Sequence, residues 1–381
     1  MSVAVILGTR PETIKMAPVI KELERRCIDY FVLHTGQHYS YEMDQVFFEE
    51  LEIHPPAFNL DAGSGSHAEQ TGKIMTGIES ILIKSKPDVV LVQGDTNTVL
   101  AGALAAAKLH IKVGHVEAGL RSYDRNMPEE INRVMADHLS DFLFATTKIS
   151  KANLVREGIA EDSIFITGNT IVDSVYQNRE IAKRKADVLK DLGLKPKEYF
   201  LVTAHRAENV DDRSRLKEII RGLELIGSEF SLPIIFPVHP RTKKRVKEFG
   251  YEFDGIRAID PIGFLDFLQL EANAKLALTD SGGVQEETCI LGVPCVTIRD
   301  NTERPETLVA KSNILVGANA EEMLAGVKQM LSQVNVWKNP FGDGQASRYI
   351  IDSLEIHNAI PLGQQKANDL RMSRCMMGAA K

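Results

Sequence analysis

Short apolar runs recur along the chain. Each is followed by a polar loop and then by a stretch with apolar positions three and four apart. Residues 3–7 (VAVIL) lead into Thr9-Arg10-Pro11 and a helical face carrying Met16, Val19, Ile20 and Leu23. Residues 88–92 lead into Gln93-Gly94-Asp95 and the alanine-rich segment 99–107, and residues 112–116 into Glu117-Ala118-Gly119. Residues 142–145 and 164–166 close the first series; a second runs through 199–202, 234–238, 256–259, 275–278, 295–298 and 314–316. The runs are apolar throughout rather than alternating, as in parallel strands covered by helices on both faces. Strand and helix alternate over the whole length, which predicts an α/β fold. The rhythm breaks near Gly168-Asn169, and residues 171–192 predict one long linking helix ending at Gly193. Two units follow, 1–168 and 169–344. Periodicity fails after about Glu355, so 357–381 is expected to be a disordered tail.

Composition narrows the class. At roughly 100–200 residues per domain, 381 residues fit two domains. The apolar fraction of 44% supplies two cores, and a net charge of −7 without a long basic run argues against nucleic-acid binding as the main task. The four cysteines, Cys27, Cys289, Cys295 and Cys375, form no C-x-x-C pair, which fits a reducing compartment. The opening run has no charged leader, and no apolar stretch approaches a membrane span, so a cytoplasmic protein without membrane contact is expected.

In open α/β sheets, ligands bind beyond the C-terminal ends of the strands, and here those ends carry polar clusters. In Gly8-Thr-Arg-Pro-Glu-Thr-Ile-Lys15, Arg10 stands at a helix start and Lys15 one turn in, an arrangement suited to an anion. In Thr279-Asp-Ser-Gly-Gly-Val-Gln-Glu-Glu287, Ser281, Gly282 and Gly283 would let a diphosphate approach backbone N–H groups. Gly283 and Glu287 share a helix face, leaving room for a ribose to give both hydroxyls to Glu287. The bland alternative is a helix capped by Asp280 or Ser281. Arg299 or Arg304 could face the same diphosphate. Asp95 and Glu117 end two strands and Glu129 follows Pro128; carboxylates converging on one pocket can serve as acid and base. Asp95 could instead cap a helix, and Glu129 decorate one. His205, and less strongly His239, follow strands of the second series. No G-x-G-x-x-G follows a strand, no phosphate-loop motif occurs, and no ligand cluster implies a metal.

These motifs, with Gln93-Gly-Asp-Thr96, His115-Val-Glu-Ala-Gly-Leu-Arg121, Pro128-Glu-Glu-Ile-Asn-Arg133, His205-Arg-Ala-Glu-Asn209 and Arg299-Asp-Asn-Thr-Glu-Arg-Pro-Glu306, resemble the non-hydrolysing UDP-N-acetylglucosamine (UDP-GlcNAc) 2-epimerases in an archaeal-like form. The match runs in order from about residue 3 to 350. It implies the glycosyltransferase-B architecture, two Rossmann-like domains facing a cleft, with a helix at about 345–356 crossing back to the first domain. It implies that Arg10, His205, Ser281, Gly282, Gly283, Glu287 and Arg304 hold UDP and that Phe267 lies near the uracil. Asp95, Glu117 and Glu129 match the acidic catalytic positions. Gln37 and His239 are candidate regulatory positions, since in bacterial members the region of Gln37 helps to bind a second UDP-GlcNAc. Here that segment departs from the commoner bacterial form after Gln37-His38, and the loop 122–127 is shorter.

The implied reaction is reversible conversion of UDP-GlcNAc to UDP-N-acetylmannosamine (UDP-ManNAc) by anti elimination of UDP and its return to a 2-acetamidoglucal. It calls for no cofactor and no metal; a homodimer is expected. The alternatives are a 2-epimerase of a UDP-diacetamido-uronic acid, a hydrolysing epimerase, a glycosyltransferase of the same architecture and a non-catalytic UDP-sugar sensor.

Overall fold

The computed structural model describes residues 1–36, 47–333 and 336–358. Its apolar runs form two all-parallel sheets. The first contains β1 (Ser2–Leu7), β2 (Asp29–His34), β3 (Phe58–Asn59), β4 (Val89–Gln93), β5 (Lys112–Ala118), β6 (Phe142–Ala145) and β7 (Ile164–Ile166) in the order β3-β2-β1-β4-β5-β6-β7. The second contains β8 (Phe200–Thr203), β9 (Ile234–Pro237), β10 (Ile256–Ile259), β11 (Leu276–Thr279), β12 (Cys295–Thr297) and β13 (Asn313–Leu315) in the order β10-β9-β8-β11-β12-β13. Each order reverses once, between β1 and β4 and between β8 and β11. The two sheets belong to facing Rossmann-like units, as the sequence predicts.

Strand β1 shows why its run lacks alternation. Val3, Val5 and Leu7 enter one core with Met16, Val19 and Ile20; Ala4 and Ile6 enter the core on the other face with Ile74, Ile78 and Val99. Gly8 ends this strand because nothing larger fits: a Cβ there would stand 2.1 Å from Thr98 Oγ1. The C-terminal helix Ala346–Asn358 places Ile350, Ile351 and Leu354 in the core of the first sheet. It runs past the expected end at 356. The ring of His357 packs edge-on against Phe142 and Phe165, so the helix continues two residues into the segment expected to be a tail. Residues 359–381 lie outside the described residues.

The linking segment is not one helix. Thr170–Lys185 is followed by a short helix, Val188–Asp191. Ala186 between them is extended, and its carbonyl accepts from Gln269 Nε2 at 2.6 Å. The two segments that pass between the sheets touch where Asn169 N–H donates to the carbonyl of Phe341 at 2.7 Å.

Candidate functional site

Both order reversals carry the candidate residues. Gly8-Thr9 leaves β1 and Gly94-Asp95 leaves β4; His205 leaves β8 and Asp280-Ser281 leaves β11. Such switch points are where ligands bind in open α/β sheets.

The helix Arg10–Arg25 begins with Thr9 as its cap, so Arg10 is its first residue. Two backbone donors of this loop, those of Gly8 and Thr9, are already in use. Glu12 Oε2 accepts from Gly8 N–H at 2.6 Å and Thr9 N–H at 2.8 Å, while Oε1 accepts from Thr96 Oγ1 at 2.5 Å. The expected anion site therefore cannot draw on these N–H groups. The Arg10 guanidinium lies 5.6 Å from the centre of the Phe47 ring.

Lys15, expected beside a phosphate, is buried against carboxylates of both units. Its Nζ donates to Glu117 Oε2 at 2.6 Å and lies 3.4 Å from Glu286 Oε2. Arg304 completes the knot: Nη2 is 2.9 Å from Glu117 Oε1 and Nε is 2.5 Å from Glu286 Oε1. Two cations and two carboxylates, all buried, thus join the first unit to the second. Burial opposes ionisation of Glu117, but Lys15 and Arg304 outweigh it and hold its carboxyl below the usual range. Burial prevails at Glu286, whose carboxyl is raised despite Arg304 and Lys15. Asn169 Nδ2 also donates to Glu286, at 2.9 Å.

Glu117 does not simply end its strand. Its φ is +71°, in the left-handed region, and the β5–β6 register shifts between Val116 and Ala118. Such irregularities re-aim a side chain. Gln93 Nε2 donates to the same carboxylate. Asp95 pairs with Arg133, which also bonds Glu130 Oε2 at 2.6 Å. Thr96, not Asp95, caps the next helix. The Gly94 loop is further held by His115, whose Nε2 is 2.8 Å from the Gly94 carbonyl and whose Nδ1 is 2.7 Å from Asp137. Burial lowers the His115 pKa, but Asp137 more than compensates, and the net shift is upward. Glu129 is in the first turn of the helix Pro128–Leu139 and has no hydrogen-bond or ion-pair partner among the described residues.

In the second unit, Ser281 precedes the helix Gly282–Leu291 but makes no side-chain cap, and Asp280 is turned to the loop after β8 instead. Asp280 accepts from the N–H groups of His205 and Arg206, both at 2.9 Å, drawing the loop after β8 to the end of β11. Neither Gly282 nor Gly283 has positive φ, and a Cβ on either would meet nothing closer than 3.8 Å. The fold does not need glycine here, since a Cβ at either position would make only ordinary contacts. The His205 ring, 41% exposed, lies 5.6 Å from that of His239, and its burial lowers its pKa despite Asp280. His239 is exposed and caps its own helix by accepting from Arg241 N–H at 3.2 Å. Phe267 packs in part against the core containing Tyr199 and Leu270. Glu287 is buried.

Of the two loop arginines, Arg299 is a builder of its loop, bonded to Glu208, Asn301 and Glu303; Arg304 is the one at the cleft. Gln37 lies outside the described residues. Among the described residues no group of three or more His, Cys, Asp or Glu side chains could hold a metal, and no helix is long and apolar enough to cross a membrane. The sequence reading missed Glu286, Glu12 and Glu271. Glu286 lies inside a motif it singled out, and an acid adjacent to Glu287 was the available signal.

Fold and site together define the class: a two-domain α/β protein of glycosyltransferase-B type, with cations, carboxylates and a glycine-rich helix start at the cleft. The chain matches the UDP-N-acetylglucosamine 2-epimerase family over residues 21–355 and belongs to that family. A relative from Methanocaldococcus jannaschii named UDP-N-acetylglucosamine 2-epimerase is 56% identical over 92% of this chain and 98% of its own. A crystal structure of the M. jannaschii UDP-GlcNAc 2-epimerase with UDP-GlcNAc and UDP matches with a TM-score of 0.87, at 57% identity over 93% of this chain and all of that one. A Pseudomonas aeruginosa relative, named UDP-2,3-diacetamido-2,3-dideoxy-D-glucuronate 2-epimerase, is 40% identical over 93% of this chain and 99% of its own.

Proposed function

We propose that the protein interconverts UDP-GlcNAc and UDP-ManNAc by inversion at C2 of the sugar. The observation that carries this reading is the 57% identity, over 93% of the chain, to a protein whose structure holds UDP-GlcNAc and UDP. The C2 proton is not acidic, so a base removes it as the C1–O bond breaks and UDP leaves with the bonding electrons. The 2-acetamidoglucal then takes UDP back at C1 and a proton at C2 on the other face. Proton and leaving group are both returned, so no redox cofactor enters the balance.

Each step finds residues suited to it. Arg304 and the helix start at Ser281, Gly282 and Gly283 would stabilise the departing diphosphate, with Arg10 approaching from the facing unit. Asp95, Glu117, Glu129 and His205 form the acid–base set. Lys15 binds substrate and keeps Glu117 ionised. Glu287 takes the ribose and Phe267 the uracil. Closure of the two units would keep water from the glycal. His239, beside His205, and Gln37 remain the regulatory candidates. The same reading divides the chain into domains 1–168 and 169–344, with the final helix returning to the first, and places a homodimer in the cytoplasm.

Incubation with UDP-GlcNAc in heavy water, followed by NMR, tests the proposal. The expected product is UDP-ManNAc carrying deuterium at C2. Free N-acetylmannosamine as the product would make this a hydrolysing enzyme. Turnover of a UDP-2,3-diacetamido-uronate but not of UDP-GlcNAc would move the substrate to that of the Pseudomonas relative.

A further inference from the structure

Glu271, on the helix Phe264–Asn273, has 0% exposure, and neither of its carboxyl oxygens has a hydrogen-bond donor. Two neighbouring groups able to donate are engaged elsewhere. The Tyr199 hydroxyl donates to the carbonyl of Leu270, and the Cys295 thiol faces Thr297. An ionised carboxylate without donors or a cation is very costly inside a protein. The group beside it is the carboxyl of Glu287, and the two side chains are within hydrogen-bonding reach. Glu287 also feels the charges of Glu286 and Lys15.

We propose that Glu271 stays protonated and donates its proton to Glu287, acting as the positioning residue that orients this carboxylate toward the nucleotide's ribose hydroxyls. The inference rests on the reading that Glu287 takes the ribose. Gly283, one turn earlier on the same helix face, leaves the approach open, with Ser281 Oγ at 3.8 Å the nearest atom to a Cβ there. Burial, with the neighbouring Glu286, pushes the Glu287 carboxyl up to about 7, and that of Glu271 is raised well above its ordinary value. A single shared proton leaves one negative charge on the pair, available to accept from a diol. An amide at 271 supplies the same donor in nearly the same volume; a hydrocarbon supplies none.

The test is the ratio of affinities for UDP and 2′-deoxy-UDP, measured by calorimetry in the full chain. Glu271→Gln should keep the wild-type ratio, whereas Glu271→Leu should lower it by about tenfold, the worth of one charge-assisted hydrogen bond. Glu287→Gln is the control. If it leaves the ratio unchanged, the ribose reading itself fails. If it collapses the ratio while Glu271→Leu does not, the positioning role fails. Should the leucine variant not fold, Glu271→Gln alone decides: a collapse matching that of Glu287→Gln overturns the proposal, and a preserved ratio upholds it.

Discussion

At the scale of single residues, Glu117 is where conformation and charge meet. A non-glycine residue in the left-handed region costs on the order of 1–3 kcal/mol and persists only when its surroundings fix it. Lys15, Gln93 and Arg304 do so through the carboxylate. The same contacts mean that Glu117 competes for the cations a diphosphate would seek. Glu117→Gln should therefore bind UDP about three- to tenfold more tightly, a gain of about 1 kcal/mol, while losing most turnover. Arg304→Ala should weaken UDP binding by about 1.5–3 kcal/mol. Calorimetry on both variants checks the pair of signs. Weaker UDP binding in Glu117→Gln would show that its carboxylate does not compete with the ligand.

At the scale of elements, the packing of Phe264–Asn273 on Gly282–Leu291 stores a proton at Glu271 and Glu287. For a group whose pKa is raised on folding, the folded state keeps a proton that the unfolded chain releases. Above the ordinary 4.5, stability from Glu271, whose carboxyl is raised well above that value, therefore falls as pH rises, and Glu287 adds a similar fall up to about 7. Glu271→Gln lacks the Glu271 proton but keeps the raised Glu287 carboxyl, so it retains one excess proton fewer than wild type. Its melting temperature relative to wild type should climb between pH 5 and pH 7, by about 1.5–2 °C per unit for one excess proton. A flat difference across that range would mean that no proton is retained. Most strands were legible because their apolar runs are buried on both faces, so hydrophobicity alone marks them; β2, whose first three residues are exposed or half-buried, is not among the runs the sequence marks. The two-residue strand Phe58–Asn59 carries no such signal. The helix His67–Ser85 was overlooked although Ser66 and Glu69 form a capping box and Ile74, Ile78 and Leu82 repeat every four residues. For the site, chain order located the loops but not the partners. Lys15 was assigned to a phosphate because nothing in the spacing reveals that Glu286, 271 positions later, comes within reach of its ammonium group. Glu271 was invisible for the same reason: a lone acid on a helix reads as a solvated face until tertiary packing buries it.

At the scale of the whole molecule, the four-charge knot spans the cleft. Lys15 and Glu117 belong to the first sheet's unit, Glu286 and Arg304 to the second's, and each cation touches a carboxylate from both. Glu286 also receives Asn169, at the segment where the chain passes from one unit to the other. Removing one partner of a buried ion pair costs about 3–5 kcal/mol, because it leaves an uncompensated charge. In Glu286→Gln the amide oxygen still accepts from Asn169, but Lys15 and Arg304 share only Glu117. The melting temperature should fall accordingly. A diphosphate reaching Arg304 and Lys15 would supply the missing negative charge. UDP should therefore raise the melting temperature of Glu286→Gln by more than it raises that of the wild type at the same concentration, since each tenfold gain in affinity adds about 1.4 kcal/mol of ligand-linked stability. Thermal shift measured over a UDP titration reads this directly. Equal shifts in the two proteins would mean that the knot holds the units together without facing the ligand, and the diphosphate would then have to be sought at Arg10 and the Ser281 helix start alone.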